Sequence, residues 1–307
     1  MKIPGIHDII DRSQREYFKW QYLRATQAVF KTSPLQPGSL PFSVLSMVHK
    51  RDVISYLIAV KSFSKQANPS RIIVVCDPTI DESDRAHLKE HIPHIELREA
   101  DEFTHANIPR GGTWERLFAI SEYVRQSYVV QLDADTLTIG DIKEVKKSIQ
   151  ENRAFVLGEE PNQRILTLEE ASIPAKVRLL SNSHIQTQTE AVLSGLPLPD
   201  GAKYLRGCSG FCGYPRENDF QLSLLTFSRT LTGHFGDLWK SWGTEQITSN
   251  YLLANMTGTK ILPFPQYGTP DATNSASSFI HFIGSMRFIS DKYLKESMKI
   301  IKQLDSF

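Results

Sequence analysis

Up to Asp141, apolar residues fall in short blocks separated by stretches with helical spacing. Phe42-Ser43-Val44-Leu45-Ser46-Met47-Val48 reads as a buried strand, and residues 52–65 follow as a helix. Arg71-Ile72-Ile73-Val74-Val75-Cys76-Asp77 predicts a second strand, closed by Pro78. Residues 81–91 predict a helix starting at Asp81, and Ile92 to Leu97 a third strand. A helix is expected from about Thr113 to Gln126. A fourth strand, Tyr128-Val129-Val130-Gln131-Leu132, then runs into Asp133. Short apolar strands alternating with helices mean βαβ units and a parallel sheet.

The flanks are less regular. Residues 8–31 read as a helix with Tyr17, Trp20, Leu23 and Phe30 among polar neighbours, stopped by Ser33-Pro34-Leu35-Gln36-Pro37-Gly38. It is expected to dock on the main body. After Asp141 the alternation fades, and 158–206 shows loop-like and helical pieces without a clear period. Gly207 to Tyr214 predicts a glycine-punctuated strand, with helices over 216–231 and 244–255. Residues 263–278 are rich in Pro, Gly, Ser, Thr and Asn and read as a loop. Phe279 to Ile283 reads as a strand or its edge, and 290–304 as a basic amphipathic helix. No repeat or low-complexity tract is present.

The 307 residues suffice for one large α/β domain, or a domain with an insertion. Lys plus Arg is 35 and Asp plus Glu is 34, so no global field draws nucleic acid or an anionic surface. Attraction to phosphate must be local. The three cysteines, Cys76, Cys208 and Cys212, argue against a disulfide scaffold and fit a reducing compartment. They read as buried small hydrophobes, since Cys208-x-x-x-Cys212 has no second pair to complete a zinc site. Met1-Lys2-Ile3-Pro4-Gly5 carries no leader pattern, and no stretch approaches the roughly 20 apolar residues of a membrane span. The expected location is cytoplasmic, possible peripheral contact with the inner face of a membrane included. Lys292, Lys295, Lys299 and Lys302 are candidates for that contact, with a solvated face as the preferred explanation.

Chemistry concentrates at strand ends. In open α/β sheets ligands sit at the carboxyl ends of the strands, so Asp77 and Asp133 should face one crevice. The apolar strand before Asp133-Ala134-Asp135 places two carboxylates where burial is costly unless a cation compensates. Mg²⁺ or Mn²⁺ takes such oxygens together with substrate phosphates. A solvated turn with two surface acids is the plain alternative. His281-Phe282-Ile283-Gly284-Ser285-Met286-Arg287 offers an imidazole ligand, a glycine that admits phosphate, and a forked cation. Trp242-Gly243-Thr244-Glu245-Gln246 opens a helix, where an acid also fits as a cap. Gly111-Gly112-Thr113 precedes another helix and could cradle an anion, or simply cap it at Thr113.

In this order the motifs resemble glycosyltransferase family 8, the glycogenin and bacterial galactosyltransferase group, with its GT-A fold. Trp114-Glu115-Arg116-Leu117, Leu132-Asp133-Ala134-Asp135, Gly140-Asp141-Ile142, Cys208-Ser209-Gly210, Trp242-Gly243 with Glu245-Gln246 and Asn250, and His281, Gly284 and Arg287 carry the likeness. It covers about 42–290, and 158–206 matches nothing in the group. Thr244 is one residue extra. Cys208 stands for Asn, Arg287 for Lys, and Phe288-Ile289 for Pro-Trp, which leaves donor sugar and stereochemistry open.

The resemblance implies a Rossmann-like, mostly parallel sheet flanked by helices, with added N- and C-terminal helices. The implied organisation is an extension over 1–40, a transferase domain over 41–290, and a last helix over 291–307. Within the domain, 41–142 would be the nucleotide half and 143–290 the acceptor and catalytic half. Asp133, Asp135 and His281 would hold Mn²⁺ or Mg²⁺. Ser46, Val48, His49 and Asp77 would border the nucleoside. Arg116, Ala134, Gly284 and Arg287 would approach the diphosphate or donor sugar, and Glu245 and Gln246 the sugar or attacking hydroxyl. The implied activity is transfer from a nucleotide-diphosphate sugar, a UDP-sugar by resemblance, to a carbohydrate or glycolipid hydroxyl, with retention. Two other readings stand beside it: an aspartate-nucleophile phosphohydrolase using Asp133 and Asp135, and a non-catalytic nucleotide-sugar-binding domain. A dinucleotide enzyme is excluded, because Met47 to Asp52 has no Gly-x-Gly-x-x-Gly. Neither acceptor identity nor oligomeric state can be read.

Overall fold

A computed structural model describes residues 6–304, with backbone alone for residues 6–11 and Ser285. Met1 to Gly5, on which the expectation about a leader rests, and residues 305–307 lie outside the described residues. In chain order the elements begin with α1 (Ile6–Thr26), β1 (Leu40–Val48), α2 (Val53–Ala67), β2 (Pro69–Cys76), α3 (Glu82–His91) and β3 (Ile95–Glu99). Next come α4 (Trp114–Tyr123), β4 (Tyr128–Leu132), β5 (Thr136–Thr138), α5 (Lys143–Gln150) and β6 (Phe155–Gly158). The segment without a period contains β7 (Leu166–Thr167), α6 (Leu168–Arg178), α7 (Ile185–Val192) and β8 (Lys203–Tyr204). The chain closes with β9 (Gly207–Tyr214), α8 (Phe220–Phe235), α9 (Thr244–Ala254), β10 (Lys260–Ile261), β11 (Tyr267–Gly268), β12 (Phe279–His281) and α10 (Lys292–Leu304).

Seven strands form the main sheet in the order β10-β6-β9-β4-β1-β2-β3, and β9 alone runs against the rest. The order reverses at β1: the chain steps outward to β2 and β3, then returns to β4 on the other side. That reversal is the switch point at which such sheets bind ligands. Helices cover both faces, so the strands are apolar on both sides. Val44, Ile72, Val74 and Val130 face one core, and Leu45, Ile73, Val75 and Val129 face the other. Alternation along each strand thus feeds two cores.

Local chemistry sets the element ends. Asp81 caps α3 in a capping box: its carboxylate accepts from Asp84 N at 3.0 Å and Asp84 accepts from Asp81 N at 3.1 Å. Thr113 does not cap α4. It sits in the left-handed region with φ +71°, following Gly111 and Gly112 at positive φ, and its side chain points elsewhere. The first helix ends earlier than its apolar spacing suggests: α1 stops at Thr26, and 27–31 tightens into a 3-10 turn. The linker after it is fixed by buried Lys61, whose ammonium donates to Thr32 Oγ1 at 2.7 Å and Ser33 O at 2.8 Å. α1 docks on the body through Tyr22, stacked on Tyr293 of α10 with centroids 4.3 Å apart.

A second small sheet, β11-β12-β5, completes the ligand-binding end. β12 pairs antiparallel with β5, setting His281 opposite Thr136. Phe282 N donates to Asp135 O at 2.8 Å. This pairing brings residue 281 beside residue 135, and β5 is too short for hydrophobic periodicity to reveal it.

Candidate metal and donor site

Asp133 follows β4, and Asp135 lies in the turn between β4 and β5. The Asp133 amide donates to Gly210 O at 2.9 Å, tying the turn to β9. Asp135 is 4% exposed. Its Oδ1 lies 3.2 Å from His281 Nε2, and its Oδ2 accepts from Arg287 Nε at 2.9 Å and Nη2 at 2.7 Å. Arg287 Nη1 reaches on to Asp52 Oδ1 at 2.7 Å, so one guanidinium bridges two acids. Burial disfavours an ionised Asp135, but His281 and Arg287 outweigh it and hold its pKa well below the usual carboxylate range.

The other aspartate is arranged in the same way. Asp133 Oδ1 accepts from Arg116 Nη1, while Oδ2 lies 4.0 Å from His281 Nε2. Arg116 Nη2 donates to both oxygens of Glu245 at 3.3 Å. Glu245 is buried and also accepts from Thr113 Oγ1 at 3.1 Å and Ser209 Oγ at 3.4 Å. Burial raises its pKa, with Arg116 working against the rise. Glu245 is therefore the counter-ion of Arg116, and an end cap for α9 is not its role. Gln246 Oε1 accepts from Ser209 N at 3.2 Å.

Each aspartate thus gives one oxygen to an arginine and turns the other toward His281. One ligand atom from each of Asp133, Asp135 and His281 lies within 4.8 Å of the others. Oxygen and nitrogen ligands about 2.1 Å from an octahedral ion stand about 3 Å apart when adjacent and about 4.2 Å when opposite. The 3.2 and 4.0 Å separations fall in that range. Around them four carboxylates (Asp52, Asp133, Asp135 and Glu245) face the guanidiniums of Arg116 and Arg287, and Asp52 also meets the exposed Arg51 at 3.4 Å. Burial lowers the His281 pKa, but Cys208 and Asp135 outweigh it and raise it above the ordinary imidazole value, so without an ion the ring itself offsets the Asp135 charge, a place that a divalent cation would take. The residues fit Mn²⁺ or Mg²⁺.

His281 is held from behind. Its Nδ1 lies 3.2 Å from Cys208 Sγ, so Cys208 is more than a buried hydrophobe. Its ring lies against Gly210, where an added Cβ would stand 2.7 Å from Nε2 and 2.8 Å from Nδ1. Gly210→Ala should push the imidazole off the aspartates and cost about 1–3 kcal/mol of stability through overpacking. Urea midpoints and Mn²⁺ titration of the variant check both effects. Unchanged Mn²⁺ affinity would remove His281 from the ligand set.

The remaining strand-end residues divide by exposure. Ser46 is buried and donates to Leu132 O at 2.6 Å. Val48 is buried, with its carbonyl accepting from Asp77 N at 3.0 Å. His49 Nδ1 meets Asp77 Oδ2 at 3.0 Å, and both side chains are half-buried. Ala134 is buried beneath the turn, while Gly284 is exposed with nothing within 4 Å of an added Cβ. Asp52 was not signalled by the sequence, and Thr113 and Ser209 were marked only as parts of motifs, not as partners of Glu245. Asp52 sits at the start of α2, where an acid looks like a cap, and its partner is 235 residues away.

No protein-family model matches the chain, and no curated protein matches it in sequence. Solved structures do match in fold. The apo structure of the bifunctional glycosyltransferase WbbM superposes with a TM-score of 0.50 at 15% identity, over 88% of this chain and 53% of that one. The chain spans about half of WbbM's length. The galactosyltransferase LgtC, in complex with donor and acceptor sugar analogues, superposes with a TM-score of 0.50 at 12% identity, over 86% of this chain and 97% of that one. The chain thus has a mixed α/β, GT-A-like fold, with a mostly parallel sheet flanked by helices, that it shares with glycosyltransferases.

Proposed function

We propose that this chain is a metal-dependent glycosyltransferase, moving a sugar from a nucleotide-diphosphate sugar to a hydroxyl acceptor. The observation that carries the reading is the meeting of Asp133, Asp135 and His281 at the carboxyl end of β4, beside the sheet's switch point. UDP as the nucleotide, retention, and membership of family 8 rest on the motif resemblance. Asp133, Asp135 and His281 hold Mn²⁺ or Mg²⁺, which would supply charge stabilisation to a leaving diphosphate. Arg116 and Arg287 fix the far oxygens of the two aspartates. His49 and Asp77 border the nucleoside, with Ser46 and Val48 shaping the strand end behind them. Ala134 keeps the turn narrow, and Gly284 leaves its backbone open to a phosphate. Gln246 faces the sugar or the attacking hydroxyl, and Glu245 positions Arg116. The Glu245 carboxylate is shared by Arg116, Thr113 and Ser209, which suits leaving-group stabilisation better than covalent attack.

Residues 41–142 form the nucleotide half and 143–290 the acceptor half, within one continuous sheet. Residues 1–40 and 291–307 are extensions, of which α1 and α10 pack on α2 of the first. A phosphohydrolase needs its second aspartate free for proton transfer, and Asp135 is buried between His281 and Arg287. Calorimetric titration with UDP, with and without Mn²⁺, tests the reading, followed by a panel of UDP-sugars. Mn²⁺-dependent UDP binding is expected. No binding of UDP, nor of GDP, would sink it.

A further inference from the structure

The 158–206 segment carries a surface that the site does not use. On α6, Ala171, Ser172 and Ala175 are buried, while Ile173 and Val177 on the opposite side are 58% and 84% exposed. Leu179 and Leu180, just past the helix end, are 43% and 68% exposed. Positions 173 and 177 share one helical face, and 179 and 180 extend the apolar surface beyond the helix end. Four large aliphatics open to solvent within eight residues are too many for an ordinary monomer surface.

The patch continues toward a surface tryptophan. Leu180 leads to His184, the cap of α7, whose ring is 6.1 Å from the ring of Trp242. Trp242 is 76% exposed and lies three residues before Glu245. Lys176 and Arg178 stand within the patch. Their hydrogen bonds go to Ser194 Oγ and Pro174 O, and among the described residues neither forms an ion pair. α10 differs: Lys295 pairs with Asp291 at 2.7 Å and Lys299 with Glu296 at 2.8 Å. Aliphatics, a surface Trp and two cations outside any ion pair among the described residues together match the interface of an anionic bilayer. Among the described residues no helix is long and apolar enough to cross a membrane.

We propose that the outer face of α6, the turn after it and Trp242 form a peripheral docking surface for an anionic phospholipid bilayer. Docked this way, Trp242, three residues before Glu245 in the chain, meets the membrane surface. The consequence that the acceptor is carried on a lipid rests on the transferase reading above.

The test is co-sedimentation of the full chain with phosphatidylcholine vesicles, with and without phosphatidylglycerol. The wild type should partition onto the phosphatidylglycerol vesicles and far less onto phosphatidylcholine alone. Ile173→Ser/Val177→Ser/Leu180→Ser should lower that partition by about 10-fold or more, and Lys176→Glu/Arg178→Glu by a similar factor. Both sets lie on exposed positions, and unchanged unfolding midpoints show that the fold is kept. Equal partition of variants and wild type, or no partition of the wild type, overturns the proposal. So does a wild-type dimer, seen by sedimentation velocity, that the triple variant dissolves without any vesicle binding; a second copy would then cover the face. UDP titration of the same proteins separates the two readings. Vesicle binding without UDP binding keeps the docking surface and removes the transferase.

Discussion

Asp135→Asn is expected to lower Mn²⁺-dependent UDP binding by roughly 100-fold or more, because outer-shell partners alone cost 10–100-fold and Asp135 is placed as a ligand. The substitution keeps side-chain volume and removes one buried charge. His281 then loses the carboxylate 3.2 Å from its Nε2, while Arg287 keeps Asp52 at 2.7 Å. The sheet should persist, since Asp135 O still accepts from Phe282 N. Calorimetric titration of both proteins with UDP, with Mn²⁺ and then with EDTA, reads the effect. Equal affinity in all four experiments would remove the metal from this site. Acid stability supplies a second reading. The folded pKa of Asp135 lies below its unfolded value, so its ionisation stabilises the fold above the ordinary carboxylate pKa. That contribution fades as pH falls through the folded value. The variant should lack this part of the acid dependence, and urea midpoints from neutral to acid pH measure it.

Much of the architecture was legible because the first half obeys simple periodicity. β1, β2 and β4 are buried on both faces and read as continuous apolar runs, and their order places Asp133 at a strand end. Asp133, Asp135 and His281 could be named from motif order, although 146 residues separate Asp135 from His281. What brings them together could not. β5 and β12 have three residues each, too few for any period to show. The 158–206 segment hid its helices for another reason: α6 buries small residues on one side and exposes aliphatics on the other, so its polarity does not follow a core-facing pattern. The arginines were legible as cations but not as partners. Sequence suggests that Arg116 and Arg287 await phosphate, whereas the fold gives each of them two carboxylates.

Arg116→Met should destabilise the protein by about 3–5 kcal/mol, the usual cost of removing one partner from a buried ion pair. Arg116 is 4% exposed and Glu245 2% exposed, and no other cation contacts the Glu245 carboxylate among the described residues. Left alone, Glu245 would stay buried with only Thr113 and Ser209 as donors. Its pKa, already raised by burial against the pull of Arg116, should climb further. A carboxyl that binds its proton more tightly folded than unfolded makes stability fall as pH rises. The Arg116→Met protein should therefore regain stability between neutral and mildly acid pH. Adding Glu245→Gln removes the stranded charge and should recover most of the loss. Asp133 tolerates the change better, since its side chain is 28% exposed. Urea midpoints of the wild type, both single variants and the double variant close the cycle. Strictly additive costs would show that Arg116 and Glu245 do not act as a pair. Recovery of stability without recovery of Mn²⁺-dependent UDP binding would separate the two duties of Arg116. One is to neutralise Glu245, which an uncharged pair can replace. The other is to hold Asp133 Oδ1 so that Oδ2 faces the cation, and that requires the guanidinium.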